Sequence, residues 1–386
     1  MLRSKVHSRR TVLSALAGGS LAGVTSATEQ GVKSLRRTGI QEDGIEQVID
    51  ETYGDPGLVT DVSNSGEWVL FGLSTGDIVS YGGARDSDLL PVDAGSAVSH
   101  IQVEDEIDTA ALAWMDGYLY GPMELPAGTG PLYEHPGIWD IAMVPDEQLI
   151  ASVSHPTEGI GSVGLTSEDG IEWESPLENA SALSVDITDD GNHIAVGGAH
   201  YWVDALDRTG TPGIMLYDDE GERQWLHETE EDVLSAHVDA DRELVVAGTD
   251  DRQIIVLDFD GEIVWETDEY GSWVKLSGDG STVVSAEIDD TVQALDAETG
   301  DEVWTAEIGG WADEDVSVSN DGDRAIAADR INGEVHVVEA EGVLWEESYD
   351  VGPAIGALSG DGETWSVMVQ NNVDETAHVE IYEENR

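Results

Sequence analysis

The 386-residue chain contains no cysteine. Disulfides, thiolate metal ligands, cysteine nucleophiles and lipid attachment through an N-terminal cysteine are therefore excluded. Lysine is nearly missing as well, since beyond residue 40 only Lys275 occurs. Residues 1–40 hold seven of the 16 Lys and Arg and one acid, Glu29, which leaves nine bases against 80 acids over residues 41–386. A surface of that sign repels nucleic acid and anionic lipid, so neither is expected as a partner. Phenylalanine occurs twice, and after residue 27 no long apolar run appears, so membrane insertion is not expected.

What is present argues for a folded chain. Hydrophobic residues make up 40% of the sequence and alternate regularly with polar ones, unlike an acidic disordered segment. At roughly 1 M salt the screening length is about 3 Å, so a dense acidic surface scarcely repels itself. The scarcity of Lys and Phe resembles that of haloarchaeal proteins, and folding is expected to depend on salt.

The N-terminus stands apart. Arg3, Lys5, Arg9 and Arg10 precede a Gly-containing apolar run from Val12 to Val24. Ser8-Arg9-Arg10-Thr11-Val12-Leu13 resembles a twin-arginine export signal, so residues 1–27 are expected to be a signal peptide and residues 28–43 a linker. That implies an exported protein, extracellular or at the cell surface.

From residue 44 onward the chain reads as short strands. One phrase recurs: an alternating run, an acidic Gly-containing turn, then a strand with Trp, at Trp173, Trp225, Trp265, Trp304 and Trp345. The intervals are 52, 40, 39 and 41 residues, the period of an array of four-stranded units. A second phrase places Asp-Gly or Asn-Ser-Gly between apolar runs, as in Leu276-Ser-Gly-Asp-Gly-Ser-Thr-Val-Val, which is a hairpin signal. Together they mark eight repeats beginning near Leu58, Ala97, Ile138, Leu183, Leu234, Trp273, Asp315 and Ile355. The second is degenerate, and the eighth has three strands. Residues 44–54, similar to 261–271, are expected to supply the missing strand and join the ends of a ring.

Ala294-x-Asp296-x-x-Thr299-Gly300-x-x-x-Trp304 resembles the tryptophan-docking motif of pyrroloquinoline-quinone-like (PQQ-like) propeller repeats, which shade into WD40-like repeats. Trp225, Trp265 and Trp345 match with a turn one residue shorter. Trp345 has Glu339 where the Asp would be, and Trp173 has Thr166 there. The resemblance spans residues 44–386. It implies an all-β fold, a β-propeller of eight four-stranded blades with seven as the alternative, in which each of these five Trp residues docks structurally between neighbouring blades. In the family's quinone-dependent dehydrogenases the quinone stacks on a central Trp beside calcium. This chain has no Cys for their vicinal disulfide and no evident counterpart of their cofactor-binding segments, so no cofactor is expected.

Chemistry-bearing motifs are few. Gly159-Ile-Gly161-Ser-Val-Gly164 spells a dinucleotide fingerprint, but a turn follows where a helix is required. The Asp-rich turns lack the full calcium-loop pattern, and the ten histidines show no ligand spacing, so no metal site and no catalytic residues are nominated. Asn179-Ala-Ser181 is a glycosylation sequon. Propellers usually bind at the ring mouth. Trp139, Trp273 and Trp311 are expected just before inner strands, and the longest second-to-third loop, 198–213, carries His200, Tyr201, Trp202, Asp204 and Arg208. His155 and Arg330 fall in equivalent loops. Aromatics with a few polar groups on a rim suit a protein, peptide or carbohydrate ligand. The expected function is a non-catalytic binding or scaffold module, monomeric, working in high salt. The alternatives are a PQQ-dependent dehydrogenase and a propeller glycoside hydrolase or lyase, the latter needing two carboxylates across the channel mouth.

Overall fold

A computed structural model describes residues 37–38, 45–55, 57–82, 86–90, 97–103, 109–114, 118–124, 132–134, 138–144, 148–154, 159–167, 169–204, 207–267, 271–286, 291–308, 314–329, 333–350, 352–371 and 374–384. All lie in one compact unit, Leu35–Arg386. Every regular element among them is a β-strand. The expected signal peptide, residues 1–27, lies outside the described residues.

Among the described residues, eight antiparallel sheets of four or more strands follow one another. Their innermost strands are Gly57–Val62, Val98–Val103, Ile138–Val144, Ser181–Ile187, Val233–Asp239, Trp273–Leu276, Glu314–Val318 and Ala354–Leu358. The repeat starts expected from sequence fall within two residues of these. Each innermost strand touches that of the next sheet, and the eighth touches the first, so the sheets form a closed ring, a β-propeller. The eighth sheet joins the two ends of the fold. Ile45–Tyr53 pairs antiparallel with Thr376–Glu384, from Ile45 opposite Glu384 to Tyr53 opposite Ala377, with a bulge between Gln47 and Ile49. Within the stretch expected as a linker, Arg37–Thr38 pairs with Tyr349 and Ser348 and adds a short fifth strand to the seventh sheet.

The core is divided rather than central. Among the described residues eight apolar clusters occur, one at each seam between neighbouring sheets. That follows from the sequence pattern: a strand buried on both faces presents small and branched residues to both neighbours, as in Leu244–Thr249, buried at every position. Outer strands are covered on one side only and alternate, as in Glu302–Glu307.

Two sets of polar contacts align the ring. An innermost strand has a free edge toward the channel, and side chains of the preceding sheet cap its N–H groups. Asp61 accepts the Val103 N–H at 2.8 Å, Gln102 that of Met143 at 2.7 Å, Asp140 that of Val185 at 3.0 Å and Asp186 that of Val238 at 3.0 Å. Ser184, Ser235 and Ser317 do the same for Ala236, Val274 and Leu358. Beyond the ends of these strands the tips of the first hairpins join directly. Asp279 N–H donates to Asn320 O at 2.8 Å, Asn320 N–H to Gly360 O at 2.7 Å, and Asp361 N–H to Asn64 O at 3.1 Å. The tip residues alternate Gly278, Asn320, Gly360, Asn64. A Cβ at Gly360 would stand 2.5 Å from both asparagine side chains, so small and large tips must alternate.

Those Asp-rich hairpins use their carboxylates on themselves. Asp279 Oδ1 accepts the Ser277 hydroxyl and the Ser281 N–H, and Gly280 holds φ +69°. The turns at Asp321 and Asp361 repeat this arrangement. The glycine fingerprint runs into the strand Ser162–Ser167, so no helix N-terminus stands behind it.

Candidate binding face and blade seams

One face of the ring carries the second-to-third connections and the links between sheets. The longest excursion on it forms a small hairpin, Tyr201–Asp204 paired with Asp207–Thr209, between the second and third strands of the fourth sheet. Its base is fixed at two places. His200 donates its backbone N–H to Asp232 Oδ1 at 2.8 Å, and its Nδ1 lies 2.8 Å from the same oxygen. Arg208 makes an ion pair with Asp232 Oδ2. Asp232 immediately precedes the innermost strand of the fifth sheet, so the hairpin is anchored across the seam. On the other flank Tyr201 O–H donates to Asn179 Oδ1 at 3.2 Å, and Asn179 Nδ2 donates to Thr211 Oγ1 at 3.0 Å. Asn179, the residue of the sequon, adopts φ +61° and is exposed. Burial pushes the Asp250 carboxyl upward, helped by Asp232 and opposed by Arg208. Its N–H bonds to the Asp232 carbonyl at 2.8 Å.

His200, Tyr201 and Arg208 thus belong to one anchored unit, with Trp202 and Asp204 on its strands. Trp139 and Trp273 lie within the innermost strands of the third and sixth sheets, not before them, and are half-buried. Trp139 is the extra residue of a bulge between Ile138 and Asp140, and similar register shifts occur at Leu58, Ser99, Leu183 and Leu234. His155, Trp311 and Arg330 lie outside the described residues. Asp232, the group that organises the hairpin, has no distinguishing sequence signal: it is one acid in the run Glu230-Glu231-Asp232.

The repeated tryptophans occupy the seams. Trp173, Trp225 and Trp265 donate their indole N–H to Asp219 O at 2.8 Å, Phe259 O at 2.9 Å and Ala297 O at 2.8 Å, each in the third-to-fourth turn of the next sheet. In each turn an Asp nucleates the bend by accepting local N–H groups, as Asp258 does from Asp260 and Glu262. A left-handed Gly then lies against the indole: Gly221 on Trp173, Gly261 on Trp225 and Gly300 on Trp265. A Cβ at Gly300 would meet the Trp265 ring at 2.9 Å, so glycine serves both the backbone and the packing. The Asp and Gly of one repeat therefore receive the Trp of the repeat before it.

A family described as outer membrane protein assembly factor BamB (PQQ_2) matches residues 162–288 and 211–378. The chain belongs to that family. The overlapping matches together span 162–378, from the third sheet into the eighth. No curated protein matches the chain.

Within this PQQ-like ring, three seams depart from the commonest geometry. Trp304, the fullest motif match, donates instead to Gly322 O at 3.0 Å, in the first hairpin of the seventh sheet. The third-to-fourth turn of that sheet is cut to two residues between Glu339 and Gly342, and nothing stands within 4 Å of a Cβ built on Gly342. Trp345 packs against Trp365 and Tyr382 of the eighth sheet, with ring centroids 5.9 Å and 4.7 Å away. The degenerate second repeat uses another tryptophan. Trp114, fully buried on its second strand, donates back to Gly76 O of the first sheet at 3.2 Å. Seam tryptophans held by turns in this way do not present their rings to a quinone at the ring centre. Among the described residues no helix is long and apolar enough to cross a membrane.

Proposed function

We propose that the protein is an exported, salt-adapted β-propeller that acts as a non-catalytic binding or scaffold module for a protein, peptide or carbohydrate partner. The observation that carries this reading is the hairpin of residues 201–209, held at one flank by Asp232 and at the other by Asn179. Loops on a rigid ring are a common seat of recognition. An excursion tied across two sheets arrives at a partner with part of its ordering entropy already removed. Its Tyr, Trp and Arg are residue types enriched at contact surfaces. The family's description names an assembly factor, a role performed by binding, which agrees with the reading. The outer-membrane setting in that description is not carried over, because the composition resembles that of haloarchaeal proteins. Export rests on the twin-arginine-like start, and adaptation to salt rests on the acidic surface.

Affinity capture in molar salt from the exported fraction, and binding to a panel of glycans and peptides, test the proposal. Trp202→Ala should leave the thermal melt unchanged and reduce capture at least several-fold. A variant that folds and captures the same material with the same yield would remove this face from consideration.

A further inference from the structure

The strand that closes the ring carries a second cluster, away from the mouth hairpin. On one face of the eighth sheet Asp50 lies opposite Glu380, and Thr52 opposite His378. His378 Nε2 stands 2.8 Å from Glu380 Oε1 and 3.3 Å from Asp50 Oδ1, and one ligand atom from each residue lies within 4.8 Å of the others. We infer that Asp50, His378 and Glu380 form a site for a first-row divalent metal ion of the zinc class, which clamps the N-terminal strand onto the C-terminal one.

Four features support the assignment. Donor atoms about 2.0–2.2 Å from a tetrahedral ion stand roughly 3.3 Å apart, which the His378–Asp50 distance matches, and the 2.8 Å hydrogen bond from His378 to Glu380 is the contact that an ion would replace. The imidazole Nε2 of His378 is turned toward two carboxylates. A divalent ion on that nitrogen would balance the charge of both carboxylates. The surrounding groups are those of a ligand set: His378 Nδ1 lies 3.0 Å from Thr52 Oγ1, and Glu380 Oε2 accepts the hydroxyls of Tyr382 at 2.8 Å and Tyr349. Access is built in, because Glu380 is fully buried and His378 nearly so, while the Asp50 side chain is about half exposed. No ligand spacing announces the site in sequence, since its residues come from opposite ends of the fold.

The other face of the same strand is tied to the first sheet. Tyr53 and Tyr81 both donate to Glu51 Oε2, at 2.9 Å and 3.0 Å. A metal on the Asp50 face thereby makes closure of the whole ring depend on the ion.

Cobalt(II) titration of the full chain in molar KCl tests the site, because weak binding to surface carboxylates gives only faint octahedral absorption. We expect intense visible bands that saturate at one equivalent, are displaced by zinc(II), and accompany a higher melting temperature that a chelator reverses. His378→Gln should abolish the bands, and Asp50→Asn and Thr52→Val should each weaken binding about 10–100-fold. Asp50 and Thr52 stand on the less buried strand, so those variants keep the test decisive if His378→Gln does not fold. Faint octahedral absorption that is unchanged in Asp50→Asn would overturn the proposal. So would nitrogen NMR showing a doubly protonated His378 in excess zinc.

Discussion

Single side chains decide how the sheets are held together, and two of them make opposite demands. Trp304 is buried, donates its N–H across the seam to Gly322, and packs among apolar residues of the sixth and seventh sheets. Truncating such a side chain removes its transfer free energy and leaves a cavity, so Trp304→Ala should cost about 3–5 kcal/mol in a salt-matched melt. A loss under about 1 kcal/mol would mean that the indole is not a seam element. His336 sits beside this seam with the opposite problem. It is buried, neither ring nitrogen has a hydrogen-bond partner among the described residues, and Glu346 stands 3.8 Å from Nδ1, too far to bond. Burial pushes its pKa down to about 4, with Asp329 opposing weakly. Because the unfolded chain takes up this proton more readily, the stability at stake is intact above about pH 6.5 and is lost as pH falls toward 4. The loss is on the order of 3 kcal/mol. His336→Leu should therefore melt less acid-sensitively than the parent between those pH values. Parallel curves would show that this histidine stays neutral for another reason, or is solvated.

At the scale of elements, the closing strand and the turns do different work. The turns are local: Asp258 and Gly261, or Asp296 and Gly300, form their bends from nearby backbone alone, and each then accepts a tryptophan from elsewhere. The strand Ile45–Tyr53 is wholly non-local, since its partner lies more than 300 residues away. Forming it requires closing the largest loop in the fold, a slow step with a modest equilibrium penalty. Removing residues 45–53 exposes the edge of Thr376–Glu384, an open template for pairing. We predict that the shortened chain melts lower and associates in light scattering, and that a peptide of residues 44–54 added in trans restores the scattering of the parent chain. A shortened chain that scatters and melts like the parent would show that the ring does not need this strand.

Over the whole molecule the controlling quantity is charge. With 80 acids against nine bases over residues 41–386, the folded ring stores self-repulsion that screening removes. The melting temperature should rise steeply from dilute buffer to molar KCl, and circular dichroism should report loss of strand signal in dilute buffer. A melt indifferent to salt would contradict this account. Local order was readable from residues alone. The Asp-Gly turns, the alternating strands and the repeat interval are consequences of φ preference and pleat, so repeat starts such as Ile138 and Trp273 coincide with strands. The return of residues 44–54 to the last sheet was readable too, because an eighth unit one strand short leaves an edge that something must cover. Other features were settled only in three dimensions. Trp304 matches the docking motif at every position yet turns to Gly322, because the receiving turn belongs to the next repeat and is shorter there. Asp232 looks like any other acid until the hairpin folds onto it. Asp50, His378 and Glu380 meet only because the ring closes. Propensity acts over a few neighbouring residues, whereas these sites depend on which distant strands become neighbours, and that is decided by packing between sheets.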